Sequence, residues 1–228
     1  MSRAPDFNRL ARLYRWMEWF SFGPWLALAR FTFLPRLTAC RHALVLGDGD
    51  GRFTARLVGA NHGVTIDAVD ASPAMLQALH RRAGAAAGRV RIYLADIREW
   101  QPAVKEAIAP YDLIATHFFL DCLTTAEVEA LSARLHASVS PSALWVVSEF
   151  AIPTGWRGRL IARPLVMGLY MAFGWLTGLT VRALPDHRSA LHAAGFSLIE
   201  RRSRLGGLLI SELWCAGPRI SGKGNPRT

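Results

Sequence analysis

The stretch Ala-Leu-Val-Leu-Gly-Asp-Gly-Asp-Gly-Arg-Phe at positions 43–53 constrains the fold more than any other part of this 228-residue chain. A short apolar run, long enough for one strand, meets three glycines at alternate positions, and a helix-compatible segment follows over 53–57. Only glycine lets a backbone turn that tightly and still approach a ligand closely. The helix behind the turn aims its free N–H groups at whatever sits there. A dinucleotide fingerprint, G-x-G-x-x-G, would require glycine at position 52, and Arg52 stands there instead.

Further strands follow at regular intervals. The run 64–69 ends in Asp70, and Asp70 lies 19 residues after Gly51, about where a strand-end carboxylate bonds both hydroxyls of a ribose. Ser72 is a good N-cap and Pro73 suits a first helical turn, so a helix begins there. The run 90–94 leads to Asp96 and Ile97, and the run 111–116 opens into His117-Phe118-Phe119-Leu120-Asp121. A fifth strand, 143–149, follows Pro141; the turn Ala194-Gly195-Phe196 precedes two more, over 197–202 and 208–215. Thr124 can cap a helix over 124–136, with Glu127 three residues on and Leu123, Val128, Leu131 and Leu135 on its buried side. Strands alternating with helices argue for a parallel sheet covered on both faces. Taken singly, Asp70 is an acid at the start of a helix and Asp96 a turn residue; their order and spacing argue for more.

The series from 40 to 216 resembles class I S-adenosylmethionine-dependent methyltransferases, and in outline the small-molecule, ubiquinone/menaquinone type. The resemblance implies an α/β fold: a Rossmann-like, seven-stranded, mostly parallel sheet with helices on both faces and an antiparallel last strand. It implies S-adenosyl-L-methionine as cofactor. Gly47, Gly49 and Gly51 would pass its methionine end. Asp70 would hold the ribose with Ala71 and Ser72 beside it, Met75 would lie against the adenine, and Asp96 and Ile97 would bracket the adenine edge. The family usually carries an acid two positions before the first glycine, where this chain has Val45; Asp48 or Asp50 would meet the methionine amine instead. The loop 117–122 would face the methyl group and the acceptor. His117 is the best base there on intrinsic chemistry, set against a structural histidine at a strand end. Asp121 is a second catalytic candidate, set against a helix cap. The resemblance also makes Tyr14 a lid residue over the cofactor. No metal site is expected.

Two apolar segments extend this core. Residues 7–37 place Phe7, Leu10, Tyr14 and Met17 at helical spacing, then a run rich in Trp and Phe. Within 151–184, residues 164–181 form an uncharged run of 18, the threshold length for a membrane span. Both ends of that run must return to one sheet, which favours a buried or lid-forming helix. The expected organisation is an N-terminal helical lid (1–39), a cofactor-binding core (40–150), an apolar helical insertion (151–184), the C-terminal part of the core (185–217) and a disordered tail (218–228). Lids rich in Trp, Phe and Leu imply a small lipophilic acceptor.

Charge and cysteines bound the partners. The net charge is +10, and the basic residues are nearly all arginine, with lysine only at 105 and 223. The missing Asp/Asn-Pro-Pro-Tyr/Phe pattern after the fourth strand disfavours a nucleic-acid substrate despite that charge. Arginines 9, 12, 15, 157, 159, 163 and 182 flank the apolar segments, which suits peripheral contact with an anionic membrane surface. Cys40, Cys122 and Cys215 are widely spaced and odd in number, so they form neither a disulfide framework nor a zinc site. With no signal-peptide layout at the N-terminus, the expected location is cytoplasmic, membrane-peripheral at most. Two alternatives remain open: a methyltransferase acting on RNA or protein, and a non-catalytic cofactor-binding module.

Overall fold

A computed structural model describes residues 24–102, 110–153 and 184–218, and residues 155, 164 and 168 besides. Seven strands form one sheet: β1 (His42–Leu46), β2 (Thr65–Asp70), β3 (Val90–Leu94), β4 (Tyr111–His117), β5 (Val139–Phe150), β6 (Phe196–Arg204) and β7 (Leu209–Ala216). Their order is β3-β2-β1-β4-β5-β7-β6. Strand β7 runs antiparallel to both β5 and β6, while β1 to β5 pair in parallel. The seven-stranded α/β fold expected from the sequence is the fold observed. The order reverses direction at β1, whose neighbours β2 and β4 leave a crevice above their carboxyl ends.

Helices fully within the described residues are α1 (Pro24–Arg30), α2 (Arg52–Ala60), α3 (Pro73–Ala83), α4 (Thr125–His136) and α5 (His187–Ala193). Alternate residues of each central strand enter opposite cores, as the two-residue strand period requires. Ala43, Val45, Leu113, Ala115 and Val146 meet Phe53 and Leu57 of α2 and Leu79 of α3. Leu44, Leu46, Ile114, Trp145 and Val147 meet Leu131 and Leu135 of α4 and Leu191 of α5. Near-continuous burial of β1 and β4 is the pattern of parallel strands covered on both faces.

Local signals set the element ends. Ser72 Oγ accepts the Met75 N–H and Pro73 opens α3. Thr124 and Glu127 form a reciprocal capping box on α4. Strand β5 differs from expectation, since it begins at Val139 and runs through Pro141. Tyr111 faces Val139 but Leu113 faces Leu144, so β5 carries extra residues in an irregular stretch. A proline without an N–H to offer is tolerated in such a bulge. Within the expected N-terminal segment, Phe33 and Leu37 join the core beneath α2 and α3, while Leu26 and Ala29 of α1 pack on Leu209 and Phe118. The bulk of 151–184 and the tail from 219 lie outside the described residues.

Candidate functional site

The glycine turn after β1 sits at the crevice. Gly47, Gly49 and Gly51 all have positive φ (62°, 59° and 82°), a region that L side chains adopt only under strain. Their surroundings differ. A Cβ at Gly47 would enter the Phe119 ring, and one at Gly51 would lie 2.6 Å from the Leu79 Cα. At Gly49 the nearest atom is the Met75 sulfur at 3.9 Å. Gly51 is therefore required by helix packing, whereas Gly49 leaves its backbone open toward Met75.

Asp70 ends β2 beside this turn, half-buried. Its Oδ1 accepts the Ser72 N–H at 2.8 Å, and the Gly49 N–H also donates to the carboxylate. Burial, and next the nearby Asp48 charge, push its pKa up to about 6 against the pull of those amides. Ala71 is exposed, Ser72 is buried as the cap of α3, and Met75 is half-buried in the first turn of that helix. Gly49, Asp70, Ala71, Ser72 and Met75 thus come together at the carboxyl ends of β1 and β2.

Asp48 and Asp50 are both engaged by the protein. The buried Asp48 carboxylate accepts the amides of Phe53 (3.2 Å) and Thr54 (2.8 Å) at the start of α2, a favourable place for an anion at a helix N-terminus. Burial nevertheless raises its pKa, with the Arg30 charge opposing. Asp50 pairs with Arg82 at 2.7 Å and Arg52 at 3.2 Å. Val45 is buried among Phe53, Leu57 and Leu113. In place of the acid usual before the first glycine, the turn carries Asp48, whose carboxylate organises the start of α2 and lies near enough to act on Asp70.

Next to the end of β2, Asp96 stands exposed after β3. Its carboxylate accepts the Arg98 N–H at 2.9 Å and pairs with the Arg98 guanidinium at 3.3 Å. Ile97 turns its side chain into the core with Leu46, Val69 and Leu120. Tyr14 lies outside the described residues.

His117 is the last residue of β4 and is buried. Ser148 Oγ donates to the Ala29 carbonyl (3.1 Å), so it accepts from His117 Nδ1–H at 3.0 Å. That hydrogen bond fixes the tautomer and leaves Nε2 as the unprotonated nitrogen. Nε2 is buried without a hydrogen-bond partner among the described residues, and the ring packs on Phe53 at 4.4 Å. Burial, and next the Arg30 charge, hold its pKa well below the usual histidine range. A nitrogen that resists protonation is a poor proton acceptor. The base chemistry expected of His117 is therefore not what its surroundings favour; they suit the structural histidine at a strand end.

Beyond His117 the chain reverses through Phe118, whose φ of 55° is a strained value for a non-glycine residue. The turn directs the amides of Phe119 (3.1 Å) and Leu120 (2.9 Å) at Glu149 Oε1, at the end of β5. Asp121 follows half-buried, with the Cys122 thiol 3.5 Å from its Oδ1. Burial pushes the Asp121 carboxyl up to about 6. Glu149, only 2% exposed, was not picked out from the sequence, where it merely ends an apolar strand. The Phe119 ring against Gly47 joins this acidic turn to the glycine turn. Among the described residues no cluster of His, Cys, Asp and Glu could hold a metal ion. The three cysteines are unpaired.

Residues 44–144 match a protein family described as a methyltransferase domain. Over 111 residues, 49% of this chain and 38% of the relative, the sequence is 36% identical to the trans-aconitate 2-methyltransferase of Delftia acidovorans. Among solved structures, an O-methyltransferase family protein from Burkholderia thailandensis superposes with a TM-score of 0.67 at 14% identity, covering 93% of this chain and 61% of that one. Human N-acetylserotonin methyltransferase in complex with S-adenosylmethionine superposes with a TM-score of 0.60 at 17% identity, covering 86% and 53%. The chain thus spans less than two thirds of the length of these relatives.

Proposed function

We propose that this chain, whose residues 44–144 match a methyltransferase domain and whose fold is shared with an O-methyltransferase family protein, is a class I S-adenosylmethionine-dependent methyltransferase that transfers a methyl group from that cofactor to a small lipophilic acceptor. One observation carries the cofactor half of this reading. The Asp70 carboxylate, the open face of Gly49 and the Met75 side chain converge at the carboxyl ends of β1 and β2. The donor set suits the ligand: Asp70 accepts from paired ribose hydroxyls, Met75 offers an apolar surface to the adenine, and Gly49 lets the methionine end lie against backbone. Asp96 and the Ile97 amide serve the adenine edge, Gly47 and Gly51 shape the turn, and Ala71 and Ser72 flank the ribose. The bound cofactor supplies an electrophilic methyl group on a sulfonium. The chain supplies alignment, exclusion of water and a proton acceptor. Asp121 is the better candidate for that last role, because it is half-buried in the turn after β4 while His117 is enclosed.

The acceptor half is supported by the aromatic character of residues 7–37 and 151–184. An acceptor drawn from a membrane would bring the enzyme to an anionic surface from the cytoplasmic side. Among the described residues no helix is long and apolar enough to cross a membrane. Incubation with methyl-labelled S-adenosylmethionine and a lipid extract tests the reading. Label should enter the organic phase with the native chain and not with Gly49→Val, whose β-branched side chain fills the open face at a positive φ. Label recovered only in RNA or protein would contradict it. Sedimentation with anionic vesicles at low salt, reversed at high salt, tests the membrane contact; absence of sedimentation at low salt removes it.

A further inference from the structure

Two carboxyl groups meet in the turn after β4, and their hydrogen bonding is unequal. Glu149 Oε1 accepts the amides of Phe119 and Leu120, and the Asp121 amide also donates to the carboxyl group. Its Oε2 is buried with no hydrogen-bond partner among the described residues. A carboxylate oxygen in that position would carry charge with nothing to satisfy it, which is costly in a dry site. A carboxylic acid lowers that cost, with Oε1 as the carbonyl that accepts N–H groups and Oε2 as a hydroxyl, because an unpaired neutral group is cheaper to bury than an unpaired charge. The surroundings agree. Asp121 comes from the turn itself and the Cys122 thiol lies beside it. Arg98, whose charge reaches the neighbouring Cys122 thiol, is engaged by Glu127 at 2.6 Å and Asp96 at 3.3 Å. The Asp121 charge is felt at the buried Glu149 carboxyl, and two interacting buried carboxylates resist ionising together. The Asp121 charge adds to the burial that holds the Glu149 carboxyl well above its usual range, outweighing the three amides. The thiol is held high by burial and, after it, by the two acids, so it does not compete for the anionic role.

We propose that Asp121 and Glu149 form a carboxyl pair carrying one proton, held on Glu149 Oε2, and that the anionic Asp121 takes the proton of a hydroxyl acceptor. This rests on the methyltransferase reading and narrows it to O-methylation. Methylation of a hydroxyl forms an O–C bond as the sulfonium S–C bond breaks and its electron pair stays on sulfur. The O–H bond breaks as well, and the Asp121 carboxylate receives that proton. Glu149 acts through Asp121: being neutral, it leaves one charge in the pocket instead of two, and its amide contacts fix the turn that presents Asp121. It is a positioning residue.

Carboxyl carbon-13 NMR of the full chain, with Glu149→Gln assigning the resonance, reads the pair directly. Glu149 should be protonated at neutral pH, and Asp121→Asn should lower its titration toward the ordinary carboxylate range. A Glu149 carboxyl already ionised at neutral pH, or unmoved by Asp121→Asn, would overturn the shared proton. The second arm measures binding of 2-naphthol and of its methyl ether to the complex with S-adenosylhomocysteine. The naphthol should bind about tenfold more tightly, the worth of one hydrogen bond to a charged acceptor, and Asp121→Asn should erase most of that preference while still binding S-adenosylhomocysteine. Equal binding of the two probes, or detectable binding of neither, would overturn the hydroxyl acceptor. If the native chain failed to bind S-adenosylhomocysteine at all, the methyltransferase reading would fall, yet the Glu149 titration would still report on the pair.

Discussion

Asp70 holds two demands in tension. Burial beside Asp48 raises its pKa to about 6, so the cofactor-free protein is strained by keeping this carboxylate charged. The ribose hydroxyls, by contrast, bond best to the charged form. Affinity for S-adenosylhomocysteine should therefore be constant above neutrality and fall as pH drops through about 6, approaching tenfold per pH unit below it. The sign for stability is opposite. Because the folded pKa lies above the unfolded one, the native state binds more protons between them, and this residue's contribution to stability diminishes as pH rises through that window. Asp70→Asn should raise the melting temperature of the cofactor-free protein by roughly 2–4 °C, the shift that about 1 kcal/mol produces at this size. The same variant should lose cofactor affinity. Thermal melts of the free protein and calorimetry with S-adenosylhomocysteine check both halves, and a variant that melts lower would contradict the strain. The place of Asp70 at the end of β2, beside the glycine turn, was legible in the sequence because distance from a glycine turn is a local property. Glu149 was not, because its meaning comes from the Phe119 and Leu120 amides, which reach it from another strand.

At the scale of elements, the glycine turn does two separate jobs, and substitutions should separate them. Gly51→Ala places a methyl group against the Leu79 backbone at positive φ. It should destabilise the protein by about 2–4 kcal/mol, since backbone cannot move aside as a side chain can. Gly49→Ala meets only the conformational cost, on the order of 1 kcal/mol, and should act mainly on cofactor affinity. Chemical denaturation of both variants checks the ranking; equal losses would mean that Gly49 is also a packing position. The helix caps at Ser72 and at Thr124 with Glu127 were readable because a cap lies within three residues of the groups it satisfies. The start of β5 was not. Pro141 reads as a boundary, yet the strand passes through it because an irregular register with β4 relieves the missing N–H.

Across the whole molecule, the sheet ties the chain's distant parts to the crevice. The Ala29 carbonyl at the end of α1 accepts hydroxyl hydrogen bonds from Ser148 of β5 and Ser211 of β7. Phe33 and Leu37 then enter the core beneath α2 and α3. Residues 24–37 thus brace the strands that carry His117 and Glu149. Truncating the fully buried Leu37 to alanine should cost about 2–5 kcal/mol, measurable by denaturation; a loss under about 1 kcal/mol would mean that this segment merely overlies the core. The parallel sheet covered on both faces was legible from the alternation of apolar strands and helices, whereas the seven strands and the antiparallel last strand came from the family resemblance. The burial of Phe33 and Leu37 was not legible, because an aromatic-rich segment looks the same from sequence whether it covers a ligand or completes a core.

The central claim is that the glycine turn and Asp70 hold S-adenosylmethionine, and calorimetric titration with S-adenosylhomocysteine into the native chain and into Asp70→Ala at neutral pH tests it most directly. The account predicts saturable binding to the native chain, weakened at least about tenfold in a variant whose fold is intact, through loss of charge-assisted hydrogen bonds to the ribose. Absence of binding to the native chain, or equal affinity in a folded Asp70→Ala, would contradict it.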